Sequence, residues 1–267
     1  MPLDQLLELG FQIRFVSHAR AILETDFPDV LNELGGALSS LTIPIEEIIG
    51  SGGGETKGTQ RLRRALANNG WAKHHFEIVK TINGVQRESQ SHEVDHVRVF
   101  PDRGTVALEI EWNNKDPFFD RDLENFKRLH AEGAISVGVI VTRGESMQDE
   151  MRAMVRRFAE EKNLSRVEDL AGLNLYPTRR QQADYARRIA RGSRISFAEA
   201  WSSSFVQDKY GAATTHWRKL DDRIQRGVGN PCPLLLVGLP SSLVTFGESA
   251  QAVNDLLEEA SKESDQP

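Results

Sequence analysis

From Leu3 to Gly35 apolar residues recur at helical spacing, interrupted near Pro28, and a second apolar run, Ile45 to Ile49, leads into Gly50-Ser-Gly-Gly-Gly54. The pattern predicts a helical amino-terminal cap and a glycine-rich hinge over residues 1–54. The glycine run has neither the Gly-Lys-Ser/Thr ending nor the preceding strand of a phosphate loop, which favours the hinge. Lys57 to Asn68 then reads as a basic amphipathic helix stopped by Asn69-Gly70. Three strand-like segments follow, His75 to Ile82, His92 to Phe100 and Thr105 to Trp112, with turns at Asn83-Gly84 and Pro101 to Gly104. They predict a meander. Phe118 to Glu132 returns to helical spacing through Phe119, Leu123, Phe126 and Leu129, and the β-branched run Ile135 to Val141 predicts a buried strand. A helical crossover would set that strand parallel to the one bearing Glu109, which makes an α/β core. Beyond it, Met147 to Glu161 and Thr178 to Arg191 read as basic helices, Cys232 to Leu239 as a short strand, and 258–267 as a frayed acidic tail.

Acids interrupt the apolar pattern where a strand seldom carries them. Glu109 and Glu111 share one face of their strand, while Val106, Leu108, Ile110 and Trp112 share the other, expected to be the buried one. Whether Asp95 joins them depends on the turn. An odd-numbered loop such as Pro101 to Arg103 sets Asp95 opposite Glu109, whereas an even loop sets it opposite Ile110. The odd register is the expectation, because the other pushes an unpaired carboxylate toward the apolar side at a cost of about 2 kcal/mol or more. Oxygen donors so grouped suit a hard cation such as Mg²⁺, with Asp95, Glu109 and the Ile110 carbonyl as candidate ligands. Glu55, Glu77 and Lys115 are candidate auxiliary residues. His74, His75, His92 and His96 do not form a His-Glu-x-x-His pattern and lack a nearby cysteine, so zinc is the weaker reading. Strand alternation sends His92 and His96 to the face away from Asp95.

With 267 residues, the chain is long enough for one large domain or two small ones, and its one cysteine, Cys232, rules out an internal disulfide. A reducing, cytoplasmic setting is the natural expectation. No stretch approaches the roughly 20 apolar residues of a membrane span, and the amino terminus lacks the layout of a secretory signal. A formal charge of −6 argues weakly against nucleic acid, but local basic clusters remain: Arg61, Arg63 and Arg64 on one predicted helix, and Arg179, Arg180, Arg187, Arg188, Arg191 and Arg194 in and just after another.

The segments Glu93-Val-Asp95, Glu109-Ile-Glu-Trp-Asn-Asn-Lys-Asp116, Arg121-Asp-Leu and Ile135-Ser-Val-Gly-Val-Ile-Val-Thr-Arg143 resemble the BamHI/BglII type of restriction endonuclease in the PD-(D/E)XK nuclease superfamily. The resemblance is close over residues 55–145 and looser from Lys209 to Leu236. It implies a mixed central sheet flanked by helices, with the catalytic core at 55–145, a helical amino-terminal cap, and carboxy-terminal helices and a strand at 146–257 that complete the core and recognise DNA. Most members carry lysine two residues beyond the first acid of the second strand. Glu111 stands there instead, as in the BamHI-like variant, and the resemblance implies for it the role of base or second metal ligand. Asn113, Lys115, Arg121, Lys209, Thr214, Thr215 and His216 are the candidate DNA-binding residues.

The expected activity is Mg²⁺-dependent hydrolysis of double-stranded DNA at a specific, palindromic site by a type II restriction endonuclease. Such an enzyme is most simply a homodimer belonging to a restriction-modification system. Phe118 to Glu132 is either a dimer element or ordinary core. Two rivals stand beside this reading: a structure-specific or repair nuclease on the same core, and a catalytically silent DNA-binding module.

Overall fold

The computed structural model describes residues 2–50, 56–191 and 195–247. Glu55, most of the glycine run, Arg194 and the acidic tail lie outside the described residues. In chain order the elements are α1 (Pro2–Glu8), β1 (Gln12–Val16), α2 (Ala19–Thr25), α3 (Pro28–Ser39), β2 (Ile43–Pro44), α4 (Ile45–Ile49), α5 (Lys57–Asn68), β3 (Ala72–Ile82), β4 (Val85–Phe100) and β5 (Gly104–Glu111). There follow α6 (Phe118–Ala131), β6 (Val137–Arg143), α7 (Glu145–Glu161), α8 (Arg179–Arg191), α9 (Phe197–Tyr210), α10 (Trp217–Gln225), β7 (Leu234–Leu239) and β8 (Val244–Thr245).

The described chain forms two units. The first takes in the chain up to Ser40, Thr59–Glu145 and Thr215–Pro240. Its six-stranded sheet runs β1-β7-β6-β5-β4-β3. β3, β4 and β5 form the expected antiparallel meander, and β5, β6 and β7 are parallel neighbours, as a helical crossover through α6 requires. The sheet is therefore mixed, with helices against it. α6 lies directly on the sheet because β6 carries Gly138 beneath it: a Cβ there would stand 2.5 Å from the ring of Phe126. Phe119, Leu123 and Phe126 of this helix are fully buried against Val94, Val97, Ala107 and Ile140. Two of its three phenylalanines are thus core.

The amino-terminal stretch is not wholly helical. Gly10, at φ 90°, ends the first helical turns, and the two-residue alternation of Phe11, Ile13 and Phe15 builds an edge strand antiparallel to β7. The sheet thereby draws strands from both ends of the chain rather than from 55–145 alone. Cys232 is buried just before β7, and its thiol is pushed up to about 12 by that burial.

The second unit comprises Leu41–Gly58, Ser146–Thr214 and the chain from Ser241. β2 and β8 pair in parallel here, and α8 packs on α9. Asp184 joins those two helices, accepting from Arg187, from Arg188 Nε at 2.6 Å and from Ser204 Oγ at 2.9 Å. Among the described residues no helix is long and apolar enough to cross a membrane.

Candidate active site

Three residues, Pro101, Asp102 and Arg103, separate β4 from β5, so the loop is odd. Asp102 and Gly104 both take positive φ, 63° and 126°, and a Cβ on Gly104 would come within 2.3 Å of Ser136 Oγ. Glycine is required there. Pairing then runs from Phe100↔Gly104 to His96↔Leu108, and one more step in the same register sets Asp95 opposite Glu109.

The acidic face is not a solvated one. Glu109 and Glu111 are 4% and 3% exposed, while Ile110 between them is only partly buried. β5 is an interior strand covered on both faces, and its acids lie on the side of Ala107, which packs beneath α6. Burial therefore dominates their titration. It pushes Glu109 up to about 9, with the charges of Asp122, Asp95 and Glu111 adding to the effect. Burial and Asp122 likewise raise Glu111 to about 8, against the opposing bond from Asn114.

α6 supplies a fourth carboxylate that the strand pattern does not reveal. Asp122 is fully buried, its titration raised by that burial, and its carboxyl group meets that of Glu111 at hydrogen-bond range, the two sharing a proton. Arg121 bonds Asp122 Oδ1 at 2.8 Å, approaches Glu111 Oε1 to 3.6 Å and lies over the Phe118 ring. A helical reading could have found Asp122. It falls at the apolar spacing of Phe119, Leu123 and Phe126, an acid on the stripe that must face the sheet.

Lysine is also present, on β3 rather than beyond Glu109. Lys73 Nζ lies 2.8 Å from Glu93 and 3.3 Å from Asp95. The pairing of β3 with β4 slips between Ala72 and His74, a bulge beside Asp95. The slip resets the alternation. Contrary to simple parity, His92 reaches the α6 side, its Nδ1 3.0 Å from Asn125 Nδ2, while buried His96 contacts the Leu108 carbonyl. His92, Asn125 and Arg128 line a small, shallow hollow with Phe76 and Ile78. Glu77, between those two apolar residues on β3, therefore points to the other face, where it accepts from Ser89. It does not join the group.

Every ligand atom on offer here is oxygen, which fits a hard cation, and the buried Glu111 and Asp122 carboxyls held against each other beside Glu109 fit one as well. Among the described residues, however, no three His, Cys, Asp or Glu side chains are grouped so as to hold a metal as they stand. The reason is local. Asp95 turns to Lys73, Glu111 to Asn114, and Asp122 to Arg121.

The remaining expected residues fall in different settings. Lys115 is exposed and Asn113 partly so, on the loop after β5, and Arg121 is half exposed. Thr215 and His216 are buried, and burial together with the Arg143 charge holds the His216 imidazole down at about 4. In the second unit, Thr214 bonds the Gly211 carbonyl, and the Lys209 ammonium donates to the carbonyls of Ile48 and Gly50, its titration lowered by burial.

No curated protein matches this sequence. A family model described as restriction endonuclease BglII/BglIII matches residues 11–239, from the edge strand β1 to the last residue of β7 and so across every strand of the six-stranded sheet. With the match spanning most of the chain and the acids lying on its central strands, the protein belongs to the BglII/BglIII family of restriction endonucleases and is a site-specific deoxyribonuclease.

Proposed function

We propose that this enzyme cuts double-stranded DNA at a specific palindromic site as a Mg²⁺-dependent homodimer, with Asp95 and Glu109 as metal ligands, assisted by the Ile110 carbonyl. When bound, the ion would polarise the scissile phosphate and favour ionisation of the attacking water. Glu111 acts as base or second ligand. Metal-free, its titration is raised to about 8, so it holds a proton near neutral pH; a bound cation would favour the charged form that can accept one, and Asn114 fixes its direction. Arg121, half exposed beside the acids, faces the developing negative charge or a base edge.

The single observation that supports this reading is the group of three buried acids, Glu109, Glu111 and Asp122, beside the exposed Asp95, with the titration of the buried three raised first by burial and then by neighbouring carboxylates. Burying so many carboxylates together is costly, and a divalent cation offsets that cost. The homodimer follows from the target: a palindrome has a two-fold axis, and two copies present one site to each strand.

Purified protein incubated with unmethylated phage DNA tests the proposal. Discrete fragments with Mg²⁺ and none with EDTA are expected, together with a dimeric mass in solution on the cognate duplex. Metal-independent cutting, or a smear, would overturn it.

A further inference from the structure

A ring of hydrogen bonds starts at the main chain of Glu111 and returns to its carboxylate. β5 and β6 end side by side, with Glu111 opposite Thr142, whose Oγ1 donates to the Glu111 carbonyl at 2.7 Å. The next residue, Arg143, is fully buried and spans two segments: Nε donates to the Trp112 carbonyl at 2.7 Å and Nη2 to the Thr215 carbonyl at 2.7 Å. Thr215 N donates in turn to the Asn114 carbonyl at 2.8 Å. Asn114 Nδ2 closes the ring on Glu111 Oε2 at 2.7 Å.

We infer that Arg143 is a positioning residue, which through Thr215 and Asn114 fixes the direction of the Glu111 carboxylate. This rests on the catalytic reading of Glu111 given above. A guanidinium is suited to the task because its rigid fork reaches two carbonyls on separate segments at once; a lysine ammonium has no such fixed geometry. Sealing a charge at the end of a strand is expensive, and a strand end that only needed filling would be served by an apolar side chain. Thr142 clamps the same residue from the main-chain side. The loop carrying Asn114 is thereby held at both ends.

The test pairs Arg143→Lys with Asn114→Ala. Asn114 is exposed, so its truncation leaves the core packed even if the arginine variant fails to fold. Each change is expected to lower single-turnover cleavage by about 10- to 100-fold, the usual range for residues that orient a ligand, while DNA affinity measured in Ca²⁺ stays unchanged. Members of one ring are non-additive, so the double variant should be no slower than the slower single one. Two readouts need no cleavage. The Mg²⁺ concentration giving half of the metal-induced rise in melting temperature should increase in both variants, and the Thr215 amide should exchange faster in Arg143→Lys. Wild-type amide exchange and Mg²⁺ midpoints in the variants would overturn the inference whether or not the wild-type protein cuts DNA. Multiplying effects of the two changes would overturn it too. Failure of the wild-type protein to cut, with both readouts shifted as expected, would remove only the catalytic reading.

Discussion

Asp95 and Glu109 stand one step beyond His96 and Leu108, the last paired residues of β4 and β5, yet the Asp95 side chain is 56% exposed and Glu109 is 4% exposed. The same charge thus has two different energetic roles. Asp95 is solvated and paired with Lys73, so Asp95→Asn should leave the melting temperature close to that of the wild type. Glu109→Gln removes a group that folding must either protonate or bury charged, so the metal-free protein should become more stable. Both should lose cleavage by orders of magnitude if the two residues hold the ion. Melting curves and cleavage rates on the two variants check this; retained cutting by either sinks its role as a ligand.

A pH dependence follows from Glu109. Unfolded, the group loses its proton near 4.5; folded, it keeps the proton up to about 9. Between those values the native state holds more protons, so stability of the metal-free protein falls as pH rises, by at most about 1.4 kcal/mol per pH unit for one group. Above about 9 the penalty is constant. Glu111 adds to the slope up to about 8. Melting temperatures from pH 5 to 9 should decline, Glu109→Gln should flatten the decline, and Mg²⁺ should oppose it. Parallel curves for wild type and variant would contradict the assigned burial of the charge.

Asp122 calls for a different substitution. Its Oδ1 accepts from Arg121 and its carboxyl group meets that of Glu111, so Asp122→Asn retains shape and loses charge. Arg121 should then swing from Asp122 toward Glu111, which already lies 3.6 Å away. Cleavage should drop by about 10- to 100-fold with weaker Mg²⁺ dependence, and stability should hold or rise. A variant with unchanged Mg²⁺ response would make Asp122 a structural acid only.

How much of this was legible in the sequence depends on which residues carried local information. The three-residue turn was readable because Pro101 to Gly104 is punctuated by residues that favour turns, and it sets the register from Phe100↔Gly104 to His96↔Leu108 that leads toward Asp95 and Glu109. The α6 crossover and the β6 strand announced themselves through their periods. The bulge beside Asp95 left no such mark. It is a two-strand property, and it alone moved His92 to the α6 side. β1 was missed because Phe11, Ile13 and Phe15 alternate over only five positions between helices, and its pairing partner β7 lies more than two hundred residues away. The burial of Glu109 escaped for a further reason: alternation tells which residues share a face, but not whether a helix covers that face.

Exposure divides the candidate DNA contacts, and the division can be measured. Lys115 is exposed beside the acids, so Lys115→Ala should weaken binding across sequences and reduce the salt dependence of affinity by about one counterion if it meets a phosphate. Thr215 is buried and its hydroxyl has no hydrogen-bond partner, so Thr215→Val should preserve sequence preference and stabilise the protein by about 1 kcal/mol. The main-chain amide and carbonyl that link Asn114 to Arg143 survive that change. Affinity titrations at several salt concentrations, with cognate and mismatched duplexes, distinguish the two cases. Relaxed specificity in Thr215→Val would mean that the buried loop opens on DNA and that its hydroxyl reads a base; an unchanged profile leaves base reading to the exposed side chains around Glu111.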